Sequence, residues 1–104
     1  MVRRADYKNG KIYCLECKDD NIHEIYLGGT ASTLPKRLSY HRANAKLCPN
    51  RQVYKFIREH GGWPNWEMVL HEKYPCSNKK ELDKIEQEWQ DILGPELNSY
   101  NAAG

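Results

Sequence analysis

The chain is 104 residues long, the size of one small domain. Hydrophobic residues make up 39% and charged residues 29%, a globular balance, and no run approaches the roughly 18 apolar residues of a membrane span. With 16 basic and 14 acidic residues the net charge is only +2, which taken alone argues against a nucleic-acid partner. Met1-Val2-Arg3-Arg4-Ala5-Asp6 has no apolar stretch behind its charges, so no secretory signal is expected and an intracellular location is.

In chain order, Asn9-Gly10 is a turn signal, and residues 11–17 (Lys-Ile-Tyr-Cys-Leu-Glu-Cys) have the β-branched and aromatic content of a strand. After the polar turn Lys18-Asp19-Asp20-Asn21, residues 23–27 predict a returning strand ended by Gly28-Gly29. Cys14 and Cys17 form a CxxC inside the first strand, where positions three apart face opposite ways and cannot share one metal. With Cys48 and Cys76 each standing alone, free thiols are expected rather than zinc or disulfides.

Thr33-Leu34-Pro35 reads as a helix start, and Leu34, Leu38, His41 and Ala45 fall within about 60° of one another on the helix that follows. Pro49 ends it. Residues 52–60 predict a second helix with Val53, Phe56 and Ile57 on its apolar side and Gly61-Gly62 as its stop. Residues 66–74 predict a third strand whose apolar centre suggests burial on both faces. Asn78-Lys79-Lys80-Glu81 has capping-box spacing and opens a helix to about Leu93, closed by Gly94-Pro95. The order β-β-α-α-β-α predicts one α/β (α+β) domain over residues 1–104, with a small, mainly antiparallel three-stranded sheet flanked by helices.

Polar residues on apolar stripes are the sharpest chemical signal. On the last helix Leu82, Ile85, Trp89, Ile92 and Leu93 form the stripe, and Glu86 lies about 40° from Leu82, inside it. Asp83, Glu88 and Asp91 fall on the solvent side. A carboxylate turned toward a core requires a cation, a metal or several donors. It is either a stripe-edge acid reaching back to solvent or a lysine, or a metal ligand or catalytic acid/base. Arg37 and His41, neighbours at i and i+4, lie beside the stripe of the first long helix. They are a salt-bridged Arg and a satisfied core His, or a phosphate site with Arg as planar donor and His as donor or proton shuttle.

The distribution of charge reverses what net charge alone implies. Residues 1–60 carry 12 basic and 6 acidic residues; residues 61–104 carry 4 and 8. From Thr33 to Arg58 there are seven basic residues (Lys36, Arg37, Arg42, Lys46, Arg51, Lys55, Arg58) and no acidic one. Such a segment is an electrostatic footprint for a phosphate backbone.

The motifs resemble those of GIY-YIG endonucleases over about residues 10–99. Lys11-Ile12-Tyr13 and Tyr26-Leu27-Gly28 resemble the two-tyrosine signature, with Lys11 in place of the first glycine and Leu27 in place of the second isoleucine. Tyr26-Leu27-Gly28-Gly29-Thr30 followed by Leu34, Arg37 and His41 is similar to the family's next motif. Tyr74-Pro75-Cys76, Glu81-Leu82 and Glu86 resemble the segment around its metal-binding glutamate, and Asn98 matches its late asparagine.

The resemblance implies an α/β nuclease domain that hydrolyses a DNA phosphodiester to 5′-phosphate and 3′-hydroxyl ends with one divalent ion, Mg2+ or alternatively Mn2+. It implies Glu86 as metal ligand, Arg37 on the scissile phosphate and His41 as orienting group or proton shuttle. Tyr13 would be general base, Tyr26 would position the water or phosphate, and Asn98 would brace the site. The seven basic residues are expected to contact DNA, and either a homodimer or a separate partner to supply targeting; no membrane role is implied. The alternative is a catalytically inactive nucleic-acid-binding module on the same scaffold.

Overall fold

The computed structural model describes residues 6–98. Strand β1 (Lys11–Cys17) is the centre of a three-stranded antiparallel sheet, with β2 (Tyr26–Thr30) on one side and β3 (Trp66–Lys73) on the other. A central strand covered on both faces needs an unbroken apolar run. Ile12, Tyr13, Cys14 and Leu15 supply it, none more than 3% exposed. Alternate residues then divide between two cores. Tyr13 and Leu15 join Val53, Tyr54, Ile57, Trp66 and Leu97, while Ile12 and Cys14 join Leu27 and Leu82. Helices α1 (Leu34–Leu47) and α2 (Gln52–Glu59) cover the first face and α3 (Lys79–Leu93) the second. The result is the mixed α/β architecture that the pattern predicts, with α3 making the third layer.

The helix ends follow the sequence signals. Thr33 Oγ1 accepts from the Lys36 N–H at 3.3 Å to cap α1. Asn78 Oδ1 accepts from the Glu81 N–H at 3.0 Å, and Glu81 accepts in return from the Ser77 N–H at 2.7 Å, a capping box shifted outward by one residue. Gly94, at φ +58°, closes α3 in the left-handed region. Cys14 packs under α3 and Cys17 against the opposite core, so the CxxC sulfurs lie on opposite sides of the sheet, and all four cysteines are free.

Three expectations need correction. The second strand begins at Tyr26 rather than residue 23 and does not stop at Gly28-Gly29 but runs through them to Thr30. The ladder to β1 continues across both glycines, pairing Tyr13 with Gly28 and Ile12 with Gly29. Strand β3 is not buried on both faces. It is a sheet edge, and its apolar centre leaves Val69 36% and Leu70 40% exposed because α3 packs on β2 instead. The α3 stripe buries Leu82 and half-buries Ile85 and Trp89, but Ile92 and Leu93 in the last turn are exposed.

Candidate active site

Tyr13 stands at the middle of β1 with its ring under α1. Its hydroxyl is 2.7 Å from His41 Nε2 and accepts from Arg37 Nε at 3.1 Å. One α1 face presents both partners, because Arg37 and His41 are one turn apart. His41 is 2% exposed, and its other nitrogen, Nδ1, lies 3.0 Å from the Tyr54 hydroxyl of α2. Tyr54 Oη also accepts from Asn44 Nδ2 at 3.2 Å.

One arrangement of protons satisfies the buried Tyr13 hydroxyl. Burial pushes the Tyr13 phenol well above its usual range, with the neighbouring Tyr26 adding to the effect and Arg37 opposing it, so Tyr13 is protonated at neutral pH. Arg37 can only donate, so the buried Tyr13 O–H needs His41 Nε2 as its acceptor. Burial, then Arg37 and Arg51, pushes the His41 imidazole down to about 4, which keeps it neutral. In that arrangement the neutral imidazole carries its proton on Nδ1 and donates it to Tyr54, whose own O–H then points to an acceptor outside the cluster.

The other half of the site lies across the edge strand. Successive residues of β2 face opposite sides of the sheet, and two of them in a row are glycine. A Cβ on Gly28 would lie 2.6 Å from the Tyr13 hydroxyl, and a Cβ on Gly29 would lie 2.9 Å from Glu86 Oε1. Gly28 thus opens the tyrosine side and Gly29 the glutamate side of the same short stretch.

Glu86 takes the inward position that helix geometry predicts. It is half-buried, has a hydrogen bond from the Gly29 backbone, and Oε2 accepts from Gln90 Nε2 at 3.0 Å. Burial raises its carboxyl above the usual carboxylate range, reinforced by Asp83 and opposed by Lys79 and Arg37. Among the described residues it has no ion-pair partner; the pair on that helix is Lys79–Asp83. A desolvated carboxylate that no cation contacts directly among the described residues suits a hard divalent ion. Mg2+ commonly takes one or two carboxylates and completes its shell with water and phosphate oxygens. Among the described residues no group of three or more His, Cys, Asp or Glu side chains is arranged around a common point, so an ion held at Glu86 would take the rest of its shell from water and phosphate oxygens.

Tyr26 is half-buried with its ring 5.4 Å from that of His41 and 6.4 Å from that of Tyr13. Burial, then the Glu86 charge, raises its phenol. Asn98 sits at the outer edge of β2 and completes the ladder there. Its Oδ1 accepts from the Leu27 N–H at 2.7 Å and its Nδ2 donates to the Leu27 carbonyl at 2.6 Å. The side-chain amide acts as a one-residue strand and holds the backbone between Tyr26 and Gly28.

The seven basic residues do not form one face. Arg37 and Arg51 flank the tyrosine–histidine cluster, with the Arg51 guanidinium 5.4 Å from the Tyr54 ring centre and that of Arg37 4.5 Å from the Tyr40 ring centre. Arg42, Lys46 and Arg58 line a groove between α1 and α2. Lys36 is exposed in the first turn of α1, and Lys55 is exposed beside Asn50, Gln52 and Glu59. Sequence reasoning missed Tyr54, Asn44 and Gln90. Tyr54 had a usable signal, since it precedes Ile57 by three residues on an apolar helix face, and a buried phenol there requires a polar partner.

An uncharacterized protein, 019R, of Invertebrate iridescent virus 6 is 30% identical over 95 residues, which is 90% of this chain and 32% of that protein. The chain therefore spans about a third of that relative's length. No solved structure matches it. Among the described residues no helix is long and apolar enough to cross a membrane. The model of the GIY-YIG catalytic domain matches residues 9–101, nearly the whole sequence, and the chain belongs to that family of nuclease-type domains.

Proposed function

We propose that the chain is a divalent-metal-dependent DNA endonuclease that leaves 5′-phosphate and 3′-hydroxyl ends. The observation that supports this best is the approach of Tyr13, with Arg37 and His41, to one face of the Gly28-Gly29 stretch while the Glu86 carboxylate meets the other. Glu86 would hold Mg2+, or Mn2+ in its place. When bound, the ion would polarise the phosphoryl oxygen and assist the leaving 3′ oxygen.

A phenol whose pKa is raised is a poor base on its own. The hydrogen-bond chain gives the proton a path, but its end, the His41 imidazole held down at about 4, is itself a weak base, so the transfer would rely on the negative phosphate of bound DNA to raise it. Tyr13 takes the proton of the attacking water on its oxygen as its own proton passes to His41 Nε2. The resulting imidazolium donates from Nδ1 to Tyr54. Arg37 donates to the oxygen that carries charge during the transfer and offsets phosphate charge in the transition state. Tyr26 positions the water or the phosphate, and Asn98 holds the edge strand under both. Targeting would come from the basic groove, a second copy or a separate partner.

The test is magnesium-dependent nicking of supercoiled plasmid DNA, with Glu86→Ala and Arg37→Ala as controls. Cleavage that persists in both variants refutes the assignment. DNA binding with no cleavage under any divalent ion would mark the alternative, a binding module on the same scaffold.

A further inference from the structure

Behind the Tyr54 side chain, away from Glu86, α1, α2 and the 63–65 turn enclose an open groove of about 540 Å³. Arg42 and Lys46, one turn apart on α1, line it, as do Arg58 of α2, Tyr54, Ser39 and Trp63. Like charges at i and i+4 repel, and a third cation from another helix adds to the repulsion. Among the described residues none of the three is paired with a carboxylate, and Arg58 Nη1 is held by the Pro49 carbonyl at 2.7 Å. The segment that builds both helices holds no acid between residues 33 and 58. This arrangement is relieved by an anion in the groove.

Trp63 adds a second chemistry. Its half-buried ring lies 6.2 Å from the Tyr54 ring and also borders a smaller hollow with Leu38, Arg42 and Pro64. An aromatic wall beside a cluster of cations binds the base and phosphate of a single strand. Inside a duplex the base faces are already stacked and cannot meet the indole. The volume matches a site for one small ligand rather than a double helix.

We infer that this groove is a subsite for one unpaired nucleotide of DNA, with its phosphate on Arg42, Lys46 and Arg58 and its base on Trp63. Tyr54 walls the groove and hydrogen-bonds His41, which in turn meets Tyr13, so the subsite adjoins the catalytic cluster through two hydrogen bonds. Resting on the nuclease reading, the inference makes the substrate class DNA with a single-stranded segment beside the scissile bond.

The test measures binding of a labelled oligodeoxythymidine of about ten nucleotides, within the usual range of single-strand site sizes, in EDTA so that no cleavage intervenes. An abasic oligomer of equal length is the comparison. The deoxythymidine strand should bind at least fivefold more tightly and quench tryptophan fluorescence. Trp63→Phe should remove most of the quench, since Trp66 is buried and Trp89 packs on the opposite face of the sheet. The double variant Arg42→Gln/Lys46→Gln should bind about tenfold more weakly, with a salt slope shallower by about 1.4. Both side chains are exposed and their mutual repulsion is removed, so its melting temperature should match or exceed the parent's, which separates lost binding from lost folding. Equal affinity for the two oligomers, or unchanged binding in the double variant, overturns the subsite. Groove binding as described with no DNA cleaved in Mg2+ would leave the subsite standing and overturn the nuclease reading.

Discussion

The Tyr13 hydroxyl and His41 Nε2 are 2.7 Å apart, and neither side chain is more than 2% exposed. A buried phenol and a buried imidazole tolerate this only when every polar atom has a partner. Arg37, Tyr54 and Asn44 supply the remaining partners, which makes the proton arrangement a property of the whole cluster.

The first prediction is a tautomer. Nitrogen NMR of the folded protein at pH 7 should show neutral His41 with its proton on Nδ1. Tyr54→Phe removes the acceptor for that proton and the partner of Asn44. It should cost about 1–3 kcal/mol of stability, the usual range for a stranded buried donor. Cleavage should fall about 10–100-fold, a part of what general acid–base catalysis contributes. A proton found on Nε2 instead would sink the relay.

The glycine pair gives a second prediction. A methyl at Gly28 would sit 2.6 Å from the Tyr13 hydroxyl, and one at Gly29 would sit 2.9 Å from Glu86 Oε1. The two overlaps differ in kind. Tyr13 is fixed inside the core, so Gly28→Ala should destabilise by about 1–3 kcal/mol through overpacking and displace the hydroxyl from His41. Glu86 is the end of a flexible side chain at a half-buried position and can swing away. The Gly29 methyl would also lie 3.3 Å from Leu82 Cγ in the core, which must give by a few tenths of an ångström, so Gly29→Ala should lower the melting temperature less than Gly28→Ala does while cleavage falls about tenfold or more. Equal thermal effects from the two substitutions would contradict this division.

Stability should also depend on pH through His41. Its folded value of about 4 lies below the ordinary 6.5, so the unfolded chain takes up the proton first. The contribution is fully present above pH 6.5 and is lost as pH falls toward 4, by up to about 3 kcal/mol. Glu86 acts with the opposite sign. Its raised value means that the folded state keeps a proton longer, so it favours folding on the acid side and opposes part of the His41 loss. Denaturant unfolding of the parent and of Glu86→Gln between pH 4 and 7 separates the two. The acid loss should be steeper in the variant, where the compensating carboxyl is gone.

The central strand, the helix caps and the inward Glu86 were legible in the sequence because each rests on local periodicity or on a named cap. Arg37 and His41 were legible for the same reason, as neighbours on one stripe. What periodicity could not supply was which sheet position each strand occupies. The apolar centre of β3 reads like a buried strand, but β3 lies at a sheet edge and α3 packs over β2, which leaves that centre uncovered. Nor could it show that Gly28 and Gly29 continue a strand. That depends on Tyr13 and Glu86 filling the room their missing side chains leave. The role of Tyr54 depends on α2 crossing near His41, a relationship set by packing between elements and not by either helix alone.

Glu86 supplies the last prediction, a conflict between folding and chemistry. Burial disfavours its charge, no protein cation pairs with it among the described residues, and its acid strength is lowered accordingly. Glu86→Gln keeps the shape and the ability to accept the Gly29 hydrogen bond while removing the charge. Stability at pH 7 should stay the same or rise, as often happens when a strained functional group is neutralised. Cleavage should fall by about a thousandfold, because an amide oxygen is a weak ligand for a hard divalent ion. Thermal melting with and without Mg2+ gives a readout independent of turnover. The ion should raise the melting temperature of the parent, where it offsets the buried charge, and leave the variant unmoved. If both proteins shift equally, the ion binds elsewhere and the conflict has another origin.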